Sequence, residues 1–193
     1  METDVIRYIA LCGYPKAGKT EVQRIISRRY GYSAYDDSRP LREAAKALYG
    51  LTDWHVTTQE GKASLIRVGD MDVTVRKAMG DLGCFLEEQD EFHFPRLALK
   101  TCMNDHPDGL FVFASVRQNQ PSFFKNSGEA IVIEVTREGC FAQDAFDEYA
   151  RGPIDFSIDN RRNPDDPERS LRELESRVAN MLDPILTRNS IPV

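Results

Sequence analysis

Residues Gly13-Tyr14-Pro15-Lys16-Ala17-Gly18-Lys19-Thr20 satisfy the pattern GxxxxGK[ST] in full. Glycine at the first and sixth places lets the backbone wrap closely around a chain of phosphates, whose charge is met by main-chain N–H groups and the positive end of a following helix. A lysine in the place of Lys19 bridges β- and γ-phosphates, and a hydroxyl in the place of Thr20 reaches Mg²⁺. The pattern therefore assigns Gly13, Lys16, Ala17, Gly18, Lys19 and Thr20 to nucleotide binding, with ATP and Mg²⁺ as cofactors. Lys19 is the candidate catalytic cation and Thr20 the candidate metal contact.

Such a loop works only where a strand and a helix hold it. Val5 to Cys12 is a short apolar run rich in β-branched and aromatic residues that stops at Gly13, as a buried parallel strand would. After Thr20, Val22, Ile25 and Ile26 share one helical face. A four-position match arises by chance in roughly 1% of chains of this length, and the flanking strand and helix lower that further.

Further along, Tyr32 to Tyr35 reads as a second strand, and Pro40 opens a helix whose apolar stripe is Leu41, Ala44, Ala45 and Leu48, with Gly50 closing it. From Leu51 to Asp72 the pattern is weak and polar, which fits a short-helix excursion or a mobile flap. Val73 to Leu86 and Glu91 to Met103 read as helices. Leu110 to Ser115, Ala130 to Val135 and Ile154 to Ile158 read as buried strands, and Glu168 to about Leu186 as a closing helix. Strands alternating with helices predict an α/β fold of three layers, a parallel sheet with helices on both faces. One domain over residues 1–193 is expected, with an acceptor-side helical insertion at about 51–105.

The 193 residues suffice for a core without disulfides or a structural metal. The four cysteines and three histidines show no metal-ligand spacing. With 25 Lys+Arg against 31 Asp+Glu the formal charge is −6, which opposes general attachment to nucleic acid or anionic lipid. No apolar run approaches a membrane span, and the acidic start lacks the pattern of a secretion signal, so a cytoplasmic protein is expected.

Passing phosphate to a phosphorylated acceptor calls for arginines that converge on two anions. Arg39, Arg42, Arg76, Arg117 and Arg137 all fall just after expected strands or at helix starts, the edge where α/β sheets collect ligands. The order of segments resembles the bacteriophage deoxynucleoside monophosphate kinase family, within the wider P-loop nucleoside and nucleotide kinases. After the phosphate loop, Arg39-Pro40-Leu41-Arg42-Glu43-Ala44 with Leu48-Tyr49-Gly50-Leu51-Thr52 is similar to D-P-L-K-E-A-L…F-G-L. Arg76-Lys77-Ala78-Met79-Gly80-Asp81-Leu82-Gly83 is similar to R-x-x-L-Q-x-L-G. Phe113-Ala114-Ser115-Val116-Arg117 is similar to a strand ending in D-x-R, Ile133 to Arg137 to the strand and arginine before a lid, and Ile158-Asp159-Asn160 to a late I-x-N.

The resemblance implies the P-loop kinase fold, ATP-dependent phosphorylation of a deoxynucleoside monophosphate to the diphosphate, and often a homodimer. It also implies that Arg76 and Arg117 hold the acceptor nucleotide, with Gly83 letting the backbone approach it; Arg39 and Arg42, by their place at a helix start, complete the expected acceptor-binding set. Arg137 would lie over ATP or reach the transferring phosphoryl as a catalytic residue, and residues 138–151 would form a lid, the alternative being a long surface loop. The chain departs from the pattern at Arg39, Gly80, Cys84-Phe85 and Ser115. Asp36 or Asp37 is placed to supply the carboxylate that Ser115 lacks, or to cap the helix that follows. Three functions stay open: this kinase; a P-loop kinase with another acceptor, such as a modified DNA base, a nucleoside or a small phosphorylated metabolite; and a nucleotide-binding protein without phosphotransfer.

Overall fold

A computed structural model of the chain describes residues 5–143 and 145–186. Strand β1 (Tyr8–Cys12) leads into α1 (Lys19–Tyr30), and β2 (Ser33–Tyr35) into α2 (Arg39–Tyr49). Two short helices, α3 (Asp53–Thr57) and α4 (Gln59–Ala63), precede a hairpin of β3 (Leu65–Val68) and β4 (Met71–Thr74). Helices α5 (Val75–Gln89) and α6 (His93–Asp105) lead to β5 (Phe111–Phe113) and α7 (Gln120–Asn126). After β6 (Ala130–Thr136) come a 3-10 turn at Ala145–Asp147, β7 (Phe156–Asp159) and α8 (Pro167–Leu186).

The five main strands form one parallel sheet in the order β2-β5-β1-β6-β7. Strand alternation decides where each side chain goes. Ile9 and Leu11 of β1 join Val22, Ile25 and Ile26 of α1 and Leu174, Val178 and Leu182 of α8 on one face. Tyr8, Ala10 and Cys12 join Ala98 and Cys102 of α6 and Phe124 of α7 on the other. The fold is thus the α/β three-layer architecture the alternation predicts.

The chain runs from β1 outward to β2, returns to insert β5 beside β1, and only then adds β6 and β7 on the far side. Strand order therefore reverses at β1, and a crevice opens at the carboxyl ends of the strands around it. Every main strand delivers a candidate residue to that edge: Gly13 after β1, Asp37 after β2, Arg117 after β5, Arg137 after β6 and Asn160 after β7.

Several expectations need correction. Leu51 to Asp72 is an ordered excursion of two helices and a hairpin, and the expected helix from Val73 starts at Val75 because Val73 and Thr74 pair with Ile66 and Leu65. Residues 51–105 are consequently not all helical. Leu48 is 63% exposed, so the stripe of α2 ends at Ala45. Residues 145–150 pack against the body of the protein: Phe146, Asp147 and Tyr149 are buried, and Tyr149 bridges to Gln118. Among the described residues no helix is long and apolar enough to cross a membrane.

Candidate functional site

The loop between β1 and α1 adopts a shape that only its own sequence allows. Gly13 has φ +135°, and a Cβ there would lie 2.2 Å from the carbonyl oxygen of Val135. Gly18 has φ +104°, and a Cβ there would lie 2.0 Å from Asn160 Nδ2. Asn160 Nδ2 donates to the Ala17 carbonyl at 2.7 Å, so the end of β7 braces the loop from outside. The Lys19 ammonium is held at the loop's own rim, donating to the carbonyls of Gly13 and Tyr14, the latter at 3.1 Å. Burial first, and then the positive charge of Arg117, push the Lys19 pKa down to about 8, while Asp147 and Asp37 oppose the shift.

Arg137 stands beside the loop. Its Nε donates to the Asn160 carbonyl at 3.3 Å, and its Nη2 is buried without a hydrogen-bond partner among the described residues. A buried guanidinium N–H with nothing to bond is costly, and an anion at the helix end would satisfy it. Lys16, by contrast, is exposed, with φ 67°.

Next to the loop lies a small cavity of about 70 Å³. Arg42, Lys62, Arg76 and Arg117 supply its cationic lining. Leu41, Met79, Phe94 and Phe146 supply the apolar part. Arg42 is paired with Asp36 and donates to Ser38 Oγ, and Arg76 Nη2 donates to Gln59 Oε1 at 3.0 Å. The Arg117 guanidinium pairs with the buried carboxylate of Asp147 and lies 5.4 Å from the centre of the Phe146 ring.

Asp37 is fully buried where this cavity meets the phosphate loop. Its Oδ2 accepts from the Ser115 N–H at 3.2 Å, while Oδ1 has no partner among the described residues. Burial raises its pKa to about 6, against the lowering effect of the Ser115 hydrogen bonds and Arg117. Asp37 and Thr20 line one continuous depression. Two oxygen donors, one of them an unsatisfied carboxylate, suit a hard cation such as Mg²⁺. The carboxylate absent at Ser115 is thus present on the neighbouring strand, and neither Asp36 nor Asp37 caps α2 through its side chain.

Arg42, Arg76 and Arg117, all expected at the acceptor, line one cavity, but two other expected residues do not. Arg39 is exposed on the first turn of α2 and does not line the cavity. Gly83 is buried under Phe146, whose ring would lie 2.7 Å from a Cβ, so the close approach there is made by the chain's own aromatic ring. Gly80, one turn earlier, lines the cavity instead. Sequence reasoning missed Lys62, Phe146 and Asp147. None sits in a motif or an apolar period, and each reaches the site through a long-range contact.

No family model matches the chain, and neither does any curated protein. Among solved structures, dephospho-CoA kinase from Campylobacter jejuni is similar over 95% of this chain and 98% of that one, at 12% identity and a TM-score of 0.51. A sugar kinase from Janibacter sp. HTCC2649 is similar at 14% identity over 94% of this chain and 96% of that one, with a TM-score of 0.45. A gluconokinase from Sinorhizobium meliloti 1021 is similar at 15% identity over 97% and 99%, with a TM-score of 0.42. The fold is that of the P-loop kinases, a conclusion carried by the first of these together with the strand order and the loop.

Proposed function

We propose that this chain is an ATP-dependent phosphotransferase that phosphorylates a small anionic acceptor, a deoxynucleoside monophosphate, to the diphosphate. One observation carries this reading: the cavity beside the phosphate loop has a cationic wall of Arg42, Lys62, Arg76 and Arg117 facing an apolar wall of Leu41, Met79, Phe94 and Phe146. Guanidinium groups suit the acceptor's phosphate, and the apolar wall suits a flat base.

The loop from Gly13 to Thr20 holds the ATP phosphates, with Lys19 moving from its carbonyl partners to the β- and γ-phosphates. Thr20 and Asp37 would hold Mg²⁺, which when bound neutralises charge on the phosphate chain. The unpartnered Nη2 of Arg137 meets the transferring group from the side of β7. Arg42, Arg76 and Arg117 aim the acceptor phosphate at it, so that positioning and electrostatics supply the catalysis. The expected result is Lys19-dependent ADP production from Mg-ATP with at least one of the four deoxynucleoside monophosphates, assayed beside their ribose counterparts. Silence across that panel would sink the reading.

A second acceptor class is favoured by Asp37 alone. A buried carboxylate with a pKa near 6 and a free oxygen beside the phosphate loop can take the proton of an acceptor hydroxyl. Such a base must be ionised, so turnover would fall as pH drops through about 6. An acceptor phosphate needs no such base. Asp37→Asn separates the two by its response to metal. With a phosphate acceptor, raising Mg²⁺ restores part of the lost rate; with a hydroxyl acceptor, a loss of about 10²–10⁴-fold persists at every Mg²⁺ concentration.

A further inference from the structure

We infer that Lys62 is an acceptor-binding residue, a phosphate ligand that the α3–α4 excursion carries into the cavity to select dianionic acceptors over uncharged ones. The inference deepens the proposed function and rests on it.

Lys62 lines the cavity together with Arg42 of α2, Arg76 of α5 and Arg117 after β5, so four cations from four segments share one lining. Two of them are already neutralised, Arg42 by Asp36 and Arg117 by Asp147. The Lys62 ammonium has neither an ion pair nor a hydrogen bond among the described residues. Burial pushes its pKa down to about 8, and Arg76, Arg42 and Arg117 push the same way, opposed by Asp147. A part-buried ammonium crowded by guanidinium groups is unfavourable until an anion joins them.

The backbone fixes where this ammonium stands. Thr58 Oγ1 accepts from the Gly61 N–H at 2.9 Å, which sets the first turn of α4. A Cβ on Gly61 would lie 2.1 Å from the Trp54 carbonyl oxygen, so α4 rests directly on α3 and presents Lys62 from a fixed support. Such a placement suits a ligand better than a solvated surface lysine.

The groups that face Lys62 are Arg42 from α2, Arg76 from α5, Arg117, Asp147 from the 3-10 turn, and Asp36 and Asp37 after β2. Lys19 titrates in the same range, but it faces the ATP phosphates and is unchanged in a Lys62 variant.

The test is steady-state kinetics at saturating ATP with the monophosphate that the native chain turns over. Lys62→Met should raise KM for that acceptor about 10- to 100-fold, the loss of one charge-assisted contact, while KM for ATP stays put. Lys62→Arg should restore KM. In the native chain KM for the acceptor should rise as pH passes about 8, and in Lys62→Arg that rise should vanish, while any fall in kcat over the same range, which Lys19 sets, stays. An unchanged KM and pH profile in Lys62→Met, with the native chain active, would overturn the inference and leave the proposed function standing. If the native chain turns over no nucleoside monophosphate, the proposed function falls, and a second readout decides the inference alone. In ¹³C-methylated protein the Lys62 resonance, assigned by its loss in Lys62→Arg, should titrate at higher pH in the presence of inorganic phosphate. An unmoved titration would overturn the inference.

Discussion

Lys19→Met is expected to fold as the native chain does and to lose about 10³-fold in turnover. The side chain is the cation nearest the carbonyls of Gly13 and Tyr14, at the mouth of a loop whose other donors are main-chain N–H groups. Nothing else on the loop can follow charge as it moves along the phosphate chain, since Lys16 is exposed. The stability effect has the opposite sign. The native pKa of Lys19 lies near 8, below its ordinary 10.5, so the native state binds fewer protons than the unfolded chain between those values, and stability due to this group rises with pH there. At pH 7 the native state therefore carries the cost of a charged, desolvated Lys19 in full. Lys19→Met should melt at or above the temperature of the native chain, with the gap narrowing as pH rises toward 10. ADP release and melting curves on the same preparation check both halves. A folded variant with native rates would remove Lys19 from the reaction.

Arg117→Ala should damage stability and binding together, and the two losses can be separated. Asp147 is 2% exposed, and Arg117 is the cation paired with it. Truncating Arg117 removes the cation paired with this buried carboxylate, whose Oδ2 also accepts from the Gln143 N–H, at a cost of about 2–3 kcal/mol, less than for a wholly interior pair because Arg117 itself is partly exposed. For a chain of this size that is roughly 4–12 °C in melting temperature. Arg117→Ala combined with Asp147→Asn removes the stranded charge and should recover most of the stability. If Arg117 binds the acceptor as proposed, acceptor affinity should not recover, because its guanidinium is still missing. Recovery of both in the double variant would make Arg117 a structural partner of Asp147 only.

How far the molecule could be read from its residues depended on the range of the interactions involved. The loop was legible because its constraints are local: Gly13 and Gly18 sit where φ is positive and a Cβ would strike Val135 or Asn160, and the apolar run before them has one stable use. The parallel sheet was legible for the same reason, since β1, β5 and the first four residues of β6 are continuous buried runs. The cavity wall was legible only in part. Arg42, Arg76 and Arg117 lie in recognisable segments, whereas Lys62 lies in a polar stretch without period, whose helices close on each other through Gly61. The neighbour of Gly83 was not legible either: its empty side is filled by Phe146, some sixty residues later, and no local pattern announces that docking. Arg39 follows the expected spacing, yet the start of α2 turns it to solvent.

The layout also divides what is inherited from what is free to drift. Gly13, Asp37, Arg117, Arg137 and Asn160 hang from the ends of sheet strands, whose register ties each one to its neighbours. Arg42, Lys62 and Arg76 stand on α2, α4 and α5, which pack on one another around Ala45, Leu51, Val56 and Val75, outside the sheet. Under the proposed function, substitutions in that outer cluster would change acceptor choice and leave the phosphate loop in place. In lineages built on this scaffold, new substrate preferences should therefore accumulate between residues 39 and 89, while the strand ends change slowly.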